Sequence, residues 1–288
     1  MRAYSSTLIT KIPSTRLRIY LIGQILLLGM ILLSSCHRKF RKVQKNEDWR
    51  IKYEASLEYY QKKDYYRPAL LFDDIRPNTR GLPEGEKVEF YLGYCHYNEK
   101  TYILAADQFR YFYETYGRSK FAEEAEFMYA FSLYKDTPPS NLDQGSGIEA
   151  MNAMQSFLNR YPSSSYYDQA VEIINTCQQK LEQKGFDNAR QYLRMRQYKA
   201  AVLAFKNFGI EFPDSKLNEE AAALKVTAQY KLAEESLPSL QEERYQSVVE
   251  FYQEMIDDFP ESKYTRDIEK YYSESISKLN KFKTNKNS

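Results

Sequence analysis

The side chains best suited to covalent, redox or metal chemistry are few in this 288-residue chain: three cysteines and two histidines. A catalytic triad, a catalytic dyad or a histidine-based metal site would have to use His96, because His37 lies in a basic segment near the N-terminus. Acidic pairs such as Glu123 and Glu124 are adjacent in sequence, and adjacent residues of a helix do not converge on one point. The sequence has no glycine-rich phosphate loop and no Cys-x-x-Cys motif. We therefore expect no enzymatic activity, no metal and no cofactor.

Cys36 stands three positions after the end of an apolar run over residues 19–33, which is shorter than the roughly 20 residues that span a bilayer as a helix. The basic residues Lys11, Arg16 and Arg18 precede the run. This pattern is typical of a signal peptide, expected over residues 1–35. The segment Leu33-Ser34-Ser35-Cys36 resembles the lipobox of bacterial lipoproteins, which implies a lipid anchor, with palmitate among its acyl chains, on the Cys36 thiol. The alternative is an ordinary secretory signal with an incidental cysteine.

The formal net charge of +2 gives no global field that would draw the protein onto nucleic acid, and a secretion signal removes it from that partner. Two segments are nevertheless basic. We expect a tether over residues 36–47 and a disordered tail over residues 282–288, both solvated. Contact of these segments with anionic lipid is the alternative.

Four segments share an aromatic residue, a helix breaker and, two residues after the breaker, a serine. They are Tyr116-Gly117-Arg118-Ser119, Tyr161-Pro162-Ser163-Ser164, Phe212-Pro213-Asp214-Ser215 and Phe259-Pro260-Glu261-Ser262. Upstream, apolar residues recur at steps of four and three, as in Ala201, Phe205 and Phe208, which marks a buried helical stripe. Proline cannot continue a helix and serine can cap the next one, so each segment predicts the turn of a helical hairpin.

This spacing resembles the 34-residue tetratricopeptide repeat, most closely around Leu92-Gly93 and again from Ala189 to Pro213. The intervals between breakers exceed 34 residues, and the excess lies at 136–147, at an added helix near 166–181, and at 235–246. The sequence therefore predicts an all-α fold, an elongated solenoid of about five tetratricopeptide-like helix pairs and about twelve helices over residues 48–281. Cys95 and Cys177 fall several helices apart, so we expect two buried free thiols.

In the tetratricopeptide family, the first helix of each pair lines a concave groove. The first match places Phe90, Tyr94 and Tyr97 on that wall, and the later match places Phe186, Arg190, Leu193 and Arg194 there. Such walls would suit an extended polypeptide. For any one of these residues, the alternative is that it fills the core between repeats.

The order of features also resembles the BamD family, lipoproteins of the outer-membrane protein assembly machine. The resemblance covers nearly all of the chain after Cys36 and includes the insert Asn141-Leu142-Asp143-Gln144; Gly117 in place of proline and an irregular segment over 76–86 depart from it. It implies a lipoprotein at the periplasmic face of the outer membrane. Its expected partners are the periplasmic domains of BamA, the associated assembly subunits and unfolded β-barrel precursors.

Three other kinds of protein share part of this pattern. A Tol-Pal-linked periplasmic adaptor with the same repeats should have an N-terminal coiled coil and no lipobox. A SusD-like glycan-binding lipoprotein should be about twice as long, and surface-exported members have acidic residues after the cysteine, whereas His37-Arg38-Lys39 is basic. A peptidoglycan enzyme on a helical scaffold should have a separate compact domain, for which no residues are left over.

Overall fold

The structure, a computed structural model, describes residues 38–287, and its regular elements there are twelve α-helices with no strand. Helix α1 covers residues 38–44. The others are α2 (Trp49–Gln61), α3 (Tyr66–Thr79), α4 (Pro83–Asn98), α5 (Tyr102–Thr115), α6 (Ala122–Lys135), α7 (Gly145–Arg160), α8 (Tyr167–Arg194), α9 (Tyr198–Glu211), α10 (Asn218–Glu234), α11 (Pro238–Asp258) and α12 (Thr265–Asn287). The predicted all-α fold of tetratricopeptide-like helix pairs is confirmed.

The helices form two compact units, one ending at Ala125 and the other beginning at Glu126, which we call the N-terminal and C-terminal units. In the N-terminal unit, α2 packs on α3, α3 on α4, and α4 on α5. Its core includes Phe72, Val88 and Leu92, each at most 2% exposed.

In the C-terminal unit each helix from α7 to α12 packs on the next, and α10 also contacts α8 and α12. The first helices of successive pairs therefore lie side by side, as expected for tetratricopeptide-like pairs. Two clusters fill this unit. One is centred on Phe205 and Phe208, and the other on Tyr245 and Val248.

The four aromatic-breaker-serine segments are the turns between helix pairs. Each serine Oγ accepts a hydrogen bond from the backbone N–H two residues later, which belongs to the residue immediately before the next helix. The serines therefore shape the turn and do not cap the first helical N–H groups, which corrects the capping role predicted for them. The serine hydroxyl also donates to a glutamate of an earlier helix, as in Ser119 to Glu86, Ser215 to Glu182 and Ser262 to Glu219.

Both segments that were predicted to lie outside the repeats are helical in the structure. Residues 38–44 of the expected tether form α1 because Phe40 is buried against the N-terminal unit. Helix α12 continues past Lys281 to Asn287, and Phe282 packs against the C-terminal core. The expected signal peptide and Cys36 lie outside the described residues.

Helix α8 replaces two predicted helices. An added helix near 166–181 was expected to end before the next pair, but α8 runs unbroken over 28 residues. Its buried positions continue from Ala170 through Cys177 to Ala189, and no proline interrupts them. Two of its lysines hold the preceding insert: Lys180 Nζ donates to Thr137 Oγ1 at 2.8 Å, and Lys184 Nζ donates to the Leu142 carbonyl at 2.9 Å.

Cys95 and Cys177 are both buried free thiols, as predicted. Among residues 38–287, no helix combines the length and the apolar character needed to cross a membrane.

Candidate binding surfaces

His96 and Cys95, adjacent on α4, are the groups on which nucleophilic chemistry would depend. Burial lowers the pKa of His96; the charge of Asp73 opposes this shift and that of Arg76 adds to it. Burial raises the pKa of the Cys95 thiol far above its usual value, with Glu99 and Asp64 adding to it, so the thiol stays protonated. Within residues 38–287, no group of three or more His, Cys, Asp or Glu side chains is arranged to hold a metal ion.

Phe90 was predicted to line a groove, but it is only 4% exposed and lies in the core. Its ring stacks on Phe121 at 4.5 Å and meets Phe109 edge to face at 6.2 Å. Gly93, three residues later, allows this packing, because a Cβ there would lie 2.8 Å from the Phe109 ring. The alternative of a core aromatic therefore holds for Phe90.

Tyr94 and Tyr97 are half-buried on α4. The Tyr94 hydroxyl donates to the Glu124 carboxylate in the first turn of α6, and its ring meets Phe109 edge to face at 5.2 Å. The Tyr97 ring lies 5.6 Å from that of Tyr102. Tyr94 therefore contributes to packing between helices, and part of each ring remains accessible.

On α8, the structure separates the predicted residues into core and surface. Phe186 is 1% exposed and contacts the rings of Phe205 and Phe208, so it too belongs to the core and not to a groove. Leu193 is partly buried against the same cluster. Arg190 and Arg194 are exposed, and the Arg190 guanidinium lies 5.6 Å from the centroid of the Phe186 ring.

An open cavity of about 580 Å³ beside the α8–α9 turn was missed from the sequence. Its lining includes Tyr198, Leu203 and Leu232, with Arg196 and Glu235 paired at its edge. Leu203 is 58% exposed because it lies outside the buried stripe of α9. An apolar residue off the stripe was the signal in the sequence that could have found this surface.

The adjacent acidic residues Glu219 and Glu220 have structural partners. Glu219 accepts hydrogen bonds from Ser262 and from the backbone N–H of Lys263, and Glu220 accepts one from the Tyr264 hydroxyl. These carboxylates stabilise the turn before α12.

Comparison with known proteins gives a consistent set of relatives. A family model described as YfiO, outer membrane lipoprotein, matches residues 46–244. The chain is 27% identical over 204 residues to the putative outer membrane protein assembly factor BamD of Aquifex aeolicus, an alignment that covers 69% of this chain and 65% of that protein. It is 28% identical over 114 residues to the outer membrane protein assembly factor BamD of Caulobacter vibrioides, covering 40% of this chain and 37% of that protein. The chain thus spans less than two thirds of the length of either relative.

Proposed function

Because this chain belongs to the YfiO family of outer membrane lipoproteins, we propose that it is a lipid-anchored scaffold subunit of the machine that assembles outer-membrane β-barrel proteins. Cys36 carries the acyl anchor, and the helical repeats lie at the periplasmic face of the outer membrane. The repeats bind the periplasmic domains of BamA and unfolded barrel precursors. The protein acts by binding and carries out no covalent chemistry.

The observation that carries this proposal is the extent of the family match. Residues 46–244 include both α4 and α8, the helices with the predicted binding residues. The names of the two relatives support the same role, because both are called outer membrane protein assembly factors.

The exposed arginines of α8 and the half-buried tyrosines of α4 suit different features of a polypeptide partner. Exposed Arg190 and Arg194 can form paired hydrogen bonds with carboxylates of a folded domain. The accessible parts of Tyr94 and Tyr97 offer flat apolar area with a polar tip, which suits an extended chain. We assign the arginines to BamA and the tyrosines to precursor segments.

The anchor is tested by metabolic labelling with radioactive palmitate. The wild-type protein should be labelled and the Cys36→Ala variant should not, because this thiol is the proposed lipid acceptor. Label on the variant would refute an anchor at Cys36.

The partners are tested by purification from detergent-solubilised membranes, with identification of co-purifying proteins by mass spectrometry. A barrel-forming assembly protein should co-purify with the wild type and be lost from the Arg190→Glu, Arg194→Glu double variant. Lys206→Glu with Lys216→Glu is the matched control, since both lysines are exposed and the charge change is equal. If the wild type recovers no barrel protein, the proposed function is wrong; if the double variant retains it, only the assignment of the arginines is wrong.

A further inference from the structure

Helix α1 is fixed to the N-terminal unit by one aromatic side chain. Phe40 is 6% exposed, and its ring meets that of Tyr59 edge to face at 5.9 Å. The guanidinium of Arg67 lies 5.8 Å from the Phe40 centroid and 5.5 Å from that of Tyr59. Asp64 holds Arg67 through an ion pair of 2.6 Å. The position of α1 is therefore fixed relative to α2 and α3.

The side of α1 opposite Phe40 is basic. Successive residues of a helix are turned by about 100°, so Arg38, Lys42 and Lys45 lie about 140 to 160° around the axis from Phe40. Lys45 continues this pattern, since its N–H donates to the Arg41 carbonyl at 3.2 Å. We call Arg38, Lys42 and Lys45 the basic stripe.

The basic stripe faces solvent without a protein counter-charge. All three side chains are exposed, and no acidic residue occurs between positions 38 and 46. Within the described part of the chain, no carboxylate lies within 4.0 Å of these three cations. Lys39 differs, because its charge acts on Glu58: a hydrogen bond from Lys62, and then the charges of Lys39 and Lys62, lower the pKa of that carboxyl.

The position of the stripe in the sequence indicates what it contacts. Arg38 follows Cys36 by two residues, and two residues of chain reach at most about 7 Å. At physiological ionic strength, charges interact over about 8 Å before salt screens them. If Cys36 is acylated, as the proposed function holds, the stripe lies within electrostatic reach of the phospholipid headgroups.

We propose that the basic stripe docks on anionic phospholipid headgroups and, through Phe40, fixes the orientation of the N-terminal unit on the membrane. The acyl chains hold the protein at the membrane, whereas the basic stripe determines which side of the N-terminal unit faces the bilayer. This inference rests on the proposed lipid anchor. On the membrane, α1 is then a docked helix and not a solvated tether.

The chain contains a natural reporter for this contact. Trp49 is its only tryptophan and opens α2, four residues after Lys45. The lipidated full-length protein can be reconstituted into vesicles of phosphatidylethanolamine with phosphatidylglycerol and a trace of dansyl-labelled lipid. Energy transfer from Trp49 to dansyl then reports how often this end of the unit lies at the surface, and flotation of the vesicles reports the anchor separately.

The test compares the wild type with the Arg38→Gln, Lys42→Gln, Lys45→Gln variant. A basic residue near an anionic surface improves partitioning about fivefold, so the ratio of docked to undocked protein should fall about a hundredfold when three are removed. Energy transfer should fall accordingly, while the variant still floats with the vesicles. Lys199→Gln, Lys206→Gln, Lys216→Gln is the matched control, with equal charge change on exposed residues, and should keep wild-type transfer.

Equal transfer from the wild type and the stripe variant would overturn the proposal. So would equal transfer from the wild type on vesicles with and without phosphatidylglycerol. Failure of the wild type to float with neutral vesicles would instead count against the lipid anchor. In that case stripe-dependent flotation with anionic vesicles would still support the docking surface, and its absence would overturn it.

Discussion

The α4–α5 hairpin and the hairpin formed by the second half of α8 with α9 repeat one aromatic skeleton 96 positions apart. Phe90 contacts Phe109 at 6.2 Å, and Phe186 contacts Phe205 at 6.1 Å. Both hairpins turn through a left-handed residue, Lys100 at φ 61° and Arg196 at φ 59°. The repeat pattern thus determines ring packing and turn geometry in both units.

The hairpins differ where Glu89 in the first corresponds to Gly185 in the second. Glu89 is 6% exposed and forms an ion pair with Arg76 at 2.9 Å, while Gln108 Nε2 donates to its carboxylate at 2.6 Å. At Gly185, a Cβ would approach the Phe212 ring to 3.1 Å. At this repeat position the first hairpin therefore has a buried carboxylate paired with Arg76 of α3, whereas the second has a glycine that leaves room for the ring of Phe212.

The largest effect should come from removing the shared skeleton. Phe109→Ala and Phe205→Ala should each lower the free energy of unfolding by about 3 to 5 kcal/mol, because both rings are buried. Urea unfolding, with hydrogen exchange to locate the loss, measures this. Leu203→Ala, on the exposed side of α9, is the control and should change little. Normal stability of either phenylalanine variant would contradict the repeat alignment.

The polar difference predicts an effect confined to the first hairpin. Arg76→Ala leaves Glu89 buried without its ion-pair partner and should cost about 3 kcal/mol in urea unfolding. Asp107→Ala breaks an exposed ion pair with Arg110 and should cost at most about 1 kcal/mol. Equal costs would show that burial of Glu89 is not what distinguishes the hairpins.

The two glycines should respond differently to a methyl group. Gly93→Ala places a Cβ 2.8 Å from the Phe109 ring and should destabilise by about 1 to 3 kcal/mol. Gly185→Ala meets Phe212 at 3.1 Å, and this milder clash is offset by a gain of about 1 kcal/mol in helix propensity. Its net change should be near zero. A loss at Gly185 as large as at Gly93 would mean that the second hairpin is packed as tightly as the first.

The smallest effect concerns His96, whose counterpart 96 positions later is Tyr192. Because burial lowers the pKa of His96 below its ordinary 6.5, the unfolded chain takes up the proton more readily than the folded chain. The wild type should therefore lose stability as the pH falls from 6.5 through the lowered folded value, and this contribution is complete above 6.5. His96→Tyr removes the titrating group, so unfolding measured across that range should show a weaker dependence on pH. An unchanged pH dependence would mean that another group is responsible.

The sequence predicted the helices and the turns that end them because the spacing of Ala201, Phe205 and Phe208 and the breaker after them are local signals. It could not predict that α8 is continuous, since the absence of a breaker near Leu181 is a weaker signal than the presence of one. Helix α1 was missed for a different reason. It is held by Phe40 against residues far along the chain, and a basic segment resembles a solvated one until its single buried ring is placed.

The candidate site was less predictable, because membership of a helix does not decide the direction of a side chain. Phe90 and Phe186 were placed on a groove and lie in the core, whereas Arg190 and Arg194 are exposed. Phe90 and Phe186 occupy one repeat position and both are buried, whereas Tyr94 and Arg190 occupy another and differ in exposure.

Because α8 is unbroken, a movement at one of its ends would also move the other end. Its 28 residues extend about 42 Å, and it packs on both α7 and α9, with its second half in the cluster around Phe205 and Phe208. A sharp bend within the helix would distort its backbone hydrogen bonds, whereas a tilt of the whole helix would leave them intact. A tilt about its middle would displace Arg194 at one end and Tyr167 at the other in opposite directions, and Lys180 and Lys184 would pull on the 137–144 insert as it moved.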